Sequence, residues 1–262
     1  MGMSFTFHLL PFTTHTYMNF LKNIAGRIWA LWGLLFFVST MFVAYLFYFP
    51  CHFLKEPEKA RWHRSVSRVW MWAFLHAVGC PLKVKGSEHF KNLENCVIVS
   101  NHNSLMDVPV TTPFMPRANK TIAKKSFSVI PVFGWIYSFG SVLVDRNSDA
   151  SRRKSFEDMK RVLNEGLDMV IYPEGTRNRT EEPLKTFYDG AFRLAVDTGK
   201  PIVPALVFNS KKVLPVHKTF YMLPHPLEMH FLPPIESTDI SVKDLKEKVF
   251  KIMWDYYTAK AK

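Results

Sequence analysis

The chain is poor in cysteine: Cys51, Cys80 and Cys96 are the only three, and none forms a CxxC pair. An odd, scattered set makes a poor disulfide framework and fits a reducing compartment. Ten histidines are present, but none stands in an HExxH or a Cys/His cluster with zinc spacing, so the sequence calls for no metal. GxGxxG, GxxxxGK[ST] and GxSxG are all missing, which removes support for dinucleotide, P-loop and ordinary serine-hydrolase chemistry. Internal repeats and low-complexity linkers are missing too. Acidic residues are also scarce: 22 against 34 Lys and Arg give a formal charge of +12. That balance suits nucleic acid, an anionic membrane surface or anionic substrates, and charge alone does not choose among them.

What is present is unevenly spread. The 262 residues suffice for one compact domain with an extra segment, and most of the Trp and the Phe-rich runs fall in the first third. Met1–Tyr17 is uninformative, and Met18, ahead of Lys22 and Arg27, is an alternative start. Ile28–Phe49 contains no charged residue and is long enough to cross the roughly 30 Å hydrocarbon core as a helix. A buried core helix or a cleaved signal peptide are the alternatives. Lys55, Lys59, Arg61, Arg64 and Arg68 outnumber the preceding Lys22 and Arg27, which places the downstream part in the cytoplasm. Val69–Leu82 is too short to span and reads as an interfacial or re-entrant helix, or equally as a core helix. The expectation is a membrane-anchoring helical pair over residues 1–82 and a cytoplasmic domain over 83–262.

Beyond Pro81 short β-rich runs alternate with helical patterns: Val97–Ser100, Thr121–Lys124, Ser141–Val144, Asp168–Tyr172 and Ile202–Phe208. This predicts an α/β domain, a sheet covered by helices. Phe156, Met159 and Leu163 recur at helical spacing before a stop at Gly166, and Val242, Leu245, Val249, Ile252 and Tyr256 mark a C-terminal amphipathic helix.

Two constellations carry chemistry, each directly after a predicted strand. In Asn101–Asp107 (NHNSLMD), residues five apart on a straight helix are rotated by about 140° net. His102 therefore belongs on the turn after the strand and Asp107 in the first helical turn, with Pro109 just inside it. A carboxylate folded back on the imidazole would fix its tautomer and make it a general base for a hydroxyl. Alone, the pair would more often be structural. In Tyr172–Asn178 (YPEGTRN), Gly175 permits close backbone approach and Arg177 offers a fork for phosphate. The bland reading is a tight turn with a solvated Arg. Lys124 and Arg146 sit at two further strand ends and would be ordinary surface charges by themselves.

Together, Asn101–Asp107, Gly140–Arg146, Tyr172–Arg177 and Ile202–Leu206 with Pro204 resemble, in this order, the blocks of the glycerol-phosphate and lysophosphatidate acyltransferase family, its PlsC-like branch in particular. The resemblance implies that His102 deprotonates the acceptor hydroxyl, with Asp107 orienting it. It implies that Lys124, Arg146, Glu174, Gly175, Thr176 and Arg177 line the acceptor site, the cations neutralising its phosphate, and that Pro204 packs beneath it. It further implies transfer from an acyl carrier protein or coenzyme A thioester to the sn-2 hydroxyl of lysophosphatidate, giving phosphatidate, with no metal or bound cofactor and no nucleic-acid partner. The family often carries a basic residue before GAF, where this chain reads FYDGAF (Phe187–Phe192). Other lysolipids or glycerol 3-phosphate are alternative acceptors. A hydrolase with Ser104 as nucleophile, or a non-catalytic membrane-binding protein, are readings of a different class.

Overall fold

A computed structural model describes residues 12–261; the first eleven residues of the N-terminal segment lie outside the described part. The chain opens with a long helix α1 (Phe12–Tyr48) and a second helix α2 (Glu58–Ala77), followed by β1 (Leu82–Lys85) and β2 (Val97–Ser100). Then come α3 (Asp107–Phe114), β3 (Asn119–Lys124), α4 (Phe133–Phe139), β4 (Ser141–Val144), α5 (Asp149–Asn164) and β5 (Asp168–Ile171). The remainder is α6 (Gly190–Thr198), β6 (Ile202–Phe208), α7 (Ser210–Val213), β7 (Leu227–Phe231) and α8 (Val242–Ala261).

The strands form one seven-stranded sheet in the order β1-β7-β6-β2-β5-β3-β4, parallel except where β7 runs antiparallel to β6. Helices cover both faces, which is why the central strands are apolar on consecutive positions: every residue of β2 and β5 is buried. Alternate residues feed two cores. Ile98, Val203 and Ala205 pack with α1, α2 and α3, whereas Val97, Val99, Ile202 and Leu206 pack with α5, α6 and α8. Gly166, at φ +75°, closes α5: its N–H reaches Leu163 O (3.0 Å) and that of Leu167 reaches Val162 O (3.2 Å), a Schellman end at the expected stop.

Three elements differ from expectation. Helix α2 begins at Glu58, well ahead of Val69, because its first half is amphipathic: Ala60 and Ser67 are buried while Arg61 is exposed. Leu82 belongs to β1, not to that helix. Strands β1 and β7 were not anticipated, and they pair with each other in register from Leu82 and Leu227 to Lys85 and His230.

Helices α1 and α2 form an antiparallel hairpin that shares its core with the sheet. Toward the middle of α1, Met222 N donates to Gly26 O (3.0 Å) and the Trp29 indole to Val78 O (3.0 Å). Further along, the Trp70 indole donates to Thr40 Oγ1 (2.9 Å), and at the carboxyl end of α1 the Tyr48 and Ser67 hydroxyls bond at 2.6 Å. The amino-terminal edge of the sheet is tied by Asp168, which is fully buried. It accepts from Arg117 Nε (3.0 Å), Arg117 Nη2 (2.7 Å) and Cys96 N (2.9 Å), joining the starts of β2, β3 and β5.

Candidate active site

The carboxyl ends of adjacent strands β2 and β5 bring the two sequence constellations face to face. Leaving β2, Asn101 pairs with β6 through its side chain, Nδ2 donating to Val207 O (3.0 Å) and Oδ1 accepting from Val207 N (2.7 Å). This buried amide satisfies the backbone of β6 while the main chain of the 101–107 loop turns away.

Asp107, the first residue of α3, is fully buried and folds back over that loop. Its Oδ2 accepts from Asn103 N (2.6 Å), Ser104 N (2.7 Å) and the His102 ring Nδ1 (2.9 Å). A carboxylate only accepts, so Nδ1 carries the proton and Nε2 presents a lone pair. Nε2 has no hydrogen-bond partner among the described residues, and the His102 side chain keeps 17% exposure, enough to meet a ligand. The ring lies against Tyr172 at 4.4 Å and 25°, and the Tyr172 hydroxyl bonds Thr111 Oγ1 (2.5 Å). One edge of the imidazole is thus fixed by a carboxylate and one face by a phenol.

Glu174 is the second organising carboxylate. It is fully buried and receives His102 N on Oε1 (2.8 Å) and Lys185 N on Oε2 (3.1 Å). Burial, with the Asp107 charge adding to it, pushes its carboxyl up to about 7 despite those two donors. Asn178 N donates to His102 O (2.6 Å), so the loop after β5 clamps His102 from both sides of its peptide unit. Gly175 has two reasons to be glycine: φ is +69°, and a Cβ there would lie 2.8 Å from the Tyr188 ring.

Cations surround this loop. Arg146, just beyond β4, is exposed and donates its guanidinium to Gly175 O. Lys185 Nζ reaches Thr176 Oγ1 (3.0 Å). Arg177 is half-buried and Lys124, which ends β3, is exposed; neither side chain makes a hydrogen bond or ion pair to a protein group among the described residues. The structure therefore joins His102, Asp107, Glu174, Gly175, Thr176 and Arg146 by direct contacts, and leaves Arg177 and Lys124 as free cations at the same edge of the sheet. Pro204 is buried in β6, in register with Val99.

Sequence reasoning missed four contributors: the Tyr172 stack, Thr111 behind it, Asn101 and Lys185. Lys185 bears on the departure at FYDGAF, since it supplies a cation shortly before Tyr188, while Asp189 pairs with Lys246 Nζ (2.6 Å). The Ser104 hydroxyl is fully buried, donates to Leu214 O (2.8 Å) and accepts from Met106 N (3.2 Å). It makes no bond to His102, an arrangement unlike that of an activated nucleophile. Asn103 and Ser104 N–H, committed to Asp107, are not free to receive an oxyanion.

The chain is similar to known proteins in both sequence and fold. Residues 81–207 match the family model described as Acyltransferase. A 1-acyl-sn-glycerol-3-phosphate acyltransferase of Limnanthes douglasii is 32% identical over 191 residues, covering 72% of this chain and 64% of the relative. The chain thus spans a little under two thirds of that relative's length. A protein of the same name from Salmonella typhimurium is 28% identical, covering 64% of this chain and 68% of its own length. Among solved structures, the 1-acyl-sn-glycerophosphate (LPA) acyltransferase PlsC from Thermotoga maritima superposes with a TM-score of 0.78 at 20% identity, covering 91% of this chain and 97% of that one.

Proposed function

We propose that the chain, whose residues 81–207 match the acyltransferase family model, transfers a fatty acyl group from a thioester to the free hydroxyl of lysophosphatidate, giving phosphatidate. The observation that carries the reading is the 2.9 Å bond from His102 Nδ1 to the buried Asp107, which turns a basic Nε2 outward. As the acceptor oxygen attacks the thioester carbonyl carbon, Nε2 takes its proton. Collapse of the tetrahedral adduct breaks the C–S bond, and the proton on Nε2 passes to the departing thiolate. Asp107 holds the ring and stabilises the transient imidazolium. Acyl carrier protein and coenzyme A thioesters both satisfy this chemistry, and no metal or bound organic cofactor enters it.

The free guanidinium of Arg177, the exposed Arg146 and the Lys124 and Lys185 ammoniums give the acceptor's phosphate its partners. Each charge-assisted contact contributes roughly 1.5–3 kcal/mol, so Arg177→Ala and Arg146→Ala should each weaken use of lysophosphatidate by about 10- to 150-fold. Arg177→Lys should recover only part of the loss, because a point ammonium cannot form a bidentate fork. Monoacylglycerol, which lacks the phosphate, should be a poor acceptor and little affected by either change. Steady-state kinetics on both acceptors test this; equal losses on the two would sink the phosphate assignment.

Helix α1 is long and apolar enough to cross a membrane. Its contacts favour a different placement: Gly26 O accepts from Met222 N and the Tyr45 ring stacks on Trp135 of α4 (5.4 Å), so the helix lies along the domain. Its other side is bare, with Ile28 63% and Leu46 72% exposed. That face is suited to one leaflet of a bilayer, with the catalytic domain on the cytoplasmic side as the flanking charges indicate. Two results are expected: retention on membranes after carbonate washing, and protease access from the same side of sealed vesicles to tags placed before Tyr17 and after Lys260. Access from opposite sides would mean that α1 crosses.

A further inference from the structure

A cleft of about 370 Å³ lies outside the site described above, between the first half of α1 and the segment that follows α7. Its walls are Asn23 and Arg27 on one side and His217–Tyr221 on the other. It shares no residue with the candidate active site. The packing that forms it is specific: Tyr221 is buried against Gly26, where any Cβ would come within 2.3 Å of the Tyr221 ring.

The cleft is built around fixed positive charge. Lys218 Nζ bonds Asn23 Oδ1 (2.8 Å) and sits 4.1 Å from the centroid of the Tyr221 ring. An amide oxygen and an aromatic face thus hold the ammonium in place while neutralising neither its charge nor all three of its donors. Arg27 is exposed and makes no side-chain hydrogen bond or ion pair among the described residues. His217 and the Thr219 hydroxyl add further donors, and no carboxylate lines the cleft among the described residues. Directly beside Arg27 begins the uncharged run, with Ile24 and Ile28 exposed. The cations therefore stand beside the apolar surface that an in-plane α1 would present to lipid.

We propose that this cleft binds the phosphate-bearing headgroup of an anionic membrane lipid, with Arg27 and Lys218 taking the phosphate and the exposed apolar residues of α1 meeting the acyl chains. The inference rests on the reading of α1 as a helix lying in one leaflet, and it is separate from the acceptor site. The volume suits a glycerophosphate group, being within the roughly 300–1,000 Å³ of small-molecule sites. Two cations near an anionic surface, each contributing about 1 kcal/mol, amount to roughly 30-fold in affinity.

Labelling of a single introduced thiol tests the site without reference to turnover. The three native cysteines are buried, so Thr219→Cys in the full chain would place one reactive thiol in the cleft wall. Dihexanoyl phosphatidate, offered below its micellar concentration, is expected to slow maleimide labelling of this variant. Dihexanoyl phosphatidylcholine and inorganic phosphate, at the same concentrations, are expected to slow it little. Adding Arg27→Gln and Lys218→Gln should raise the half-protecting concentration of phosphatidate by about 30-fold. Lack of protection by phosphatidate, equal protection by inorganic phosphate or by the choline lipid, or an unchanged half-protecting concentration in the Gln variants would each overturn the proposal. Loss of acyltransferase activity would not bear on it, since binding is read directly.

Discussion

His102→Ala should lower turnover by about 10²–10⁴-fold with the fold intact. The size follows from what the ring does alone: no other titratable nitrogen is bonded to Asp107, and the loop that carries the ring is secured by other groups. Asn103 N and Ser104 N would still bind Asp107 Oδ2, and His102 N, a backbone group, would still bind Glu174. Removing the imidazole therefore deletes the proton acceptor and little of the scaffold. Asp107→Asn keeps one oxygen for the same three donors and loses only the negative charge, so its deficit should be equal or smaller. Both losses should appear in kcat at saturating acceptor. A folded His102→Ala enzyme with near-normal kcat would defeat the general-base assignment.

Asp168→Ala should be the most damaging single change to stability at the other edge of the sheet. Removing one partner of a buried ion pair costs about 3–5 kcal/mol, here nearer the lower figure because the Arg117 side chain keeps 25% exposure. The carboxylate also accepts Cys96 N, so its loss strands a buried donor at the start of β2. Thermal unfolding in detergent should shift down by about 6–12 °C. Asp168 lies at the amino ends of the strands and His102 at the carboxyl ends, so kcat well below the transition should be nearly normal. A shift under about 2 °C would show that the pair contributes little.

The contrast between these two residues also marks what could be read from the chain. His102 and Asp107 are five apart, and their bond follows from local chain geometry, so the spacing allowed it to be anticipated while its role rested on the accompanying motifs. Asp168 ties Cys96 and Arg117, far away in sequence, and only the pairing of β5 with both β2 and β3 brings them together. The same holds inside the site: the Glu174 bond to His102 N, the Tyr172 stack and the Arg146 bond to Gly175 O all cross between strand ends. The resemblance placed Glu174 and Arg146 in the site, but their actual partners needed the fold. Strands β2, β4, β5 and β6 were legible because burial makes them short apolar runs. Strand β1 reads LKVK and β7 reads LEMHF, with Lys85 and Glu228 pairing on a half-exposed flank (2.8 Å), so their composition resembled loop. An antiparallel β7 in an otherwise parallel neighbourhood has no local signal at all. Helix α2 was cut short for a related reason: its charged first half hides the apolar stripe that Val69–Leu82 displays openly.

The core shared by the hairpin and the sheet has a practical consequence for anyone wishing to handle this enzyme without lipid. Trp70, Met71, Phe74 and Leu75 pack in one cluster with Ala30, Met41 and Ala44 of α1 and with Ile98 and Val203 of the sheet. A shortened chain starting after Cys51 would bare that cluster to water, and aggregation, rather than a clean soluble enzyme, is the expected product. The helix proposed to hold the protein on the bilayer is also a wall of the α/β domain. A water-soluble version would have to keep α1 and repaint only its outward residues, such as Leu35 and Leu46, with polar ones.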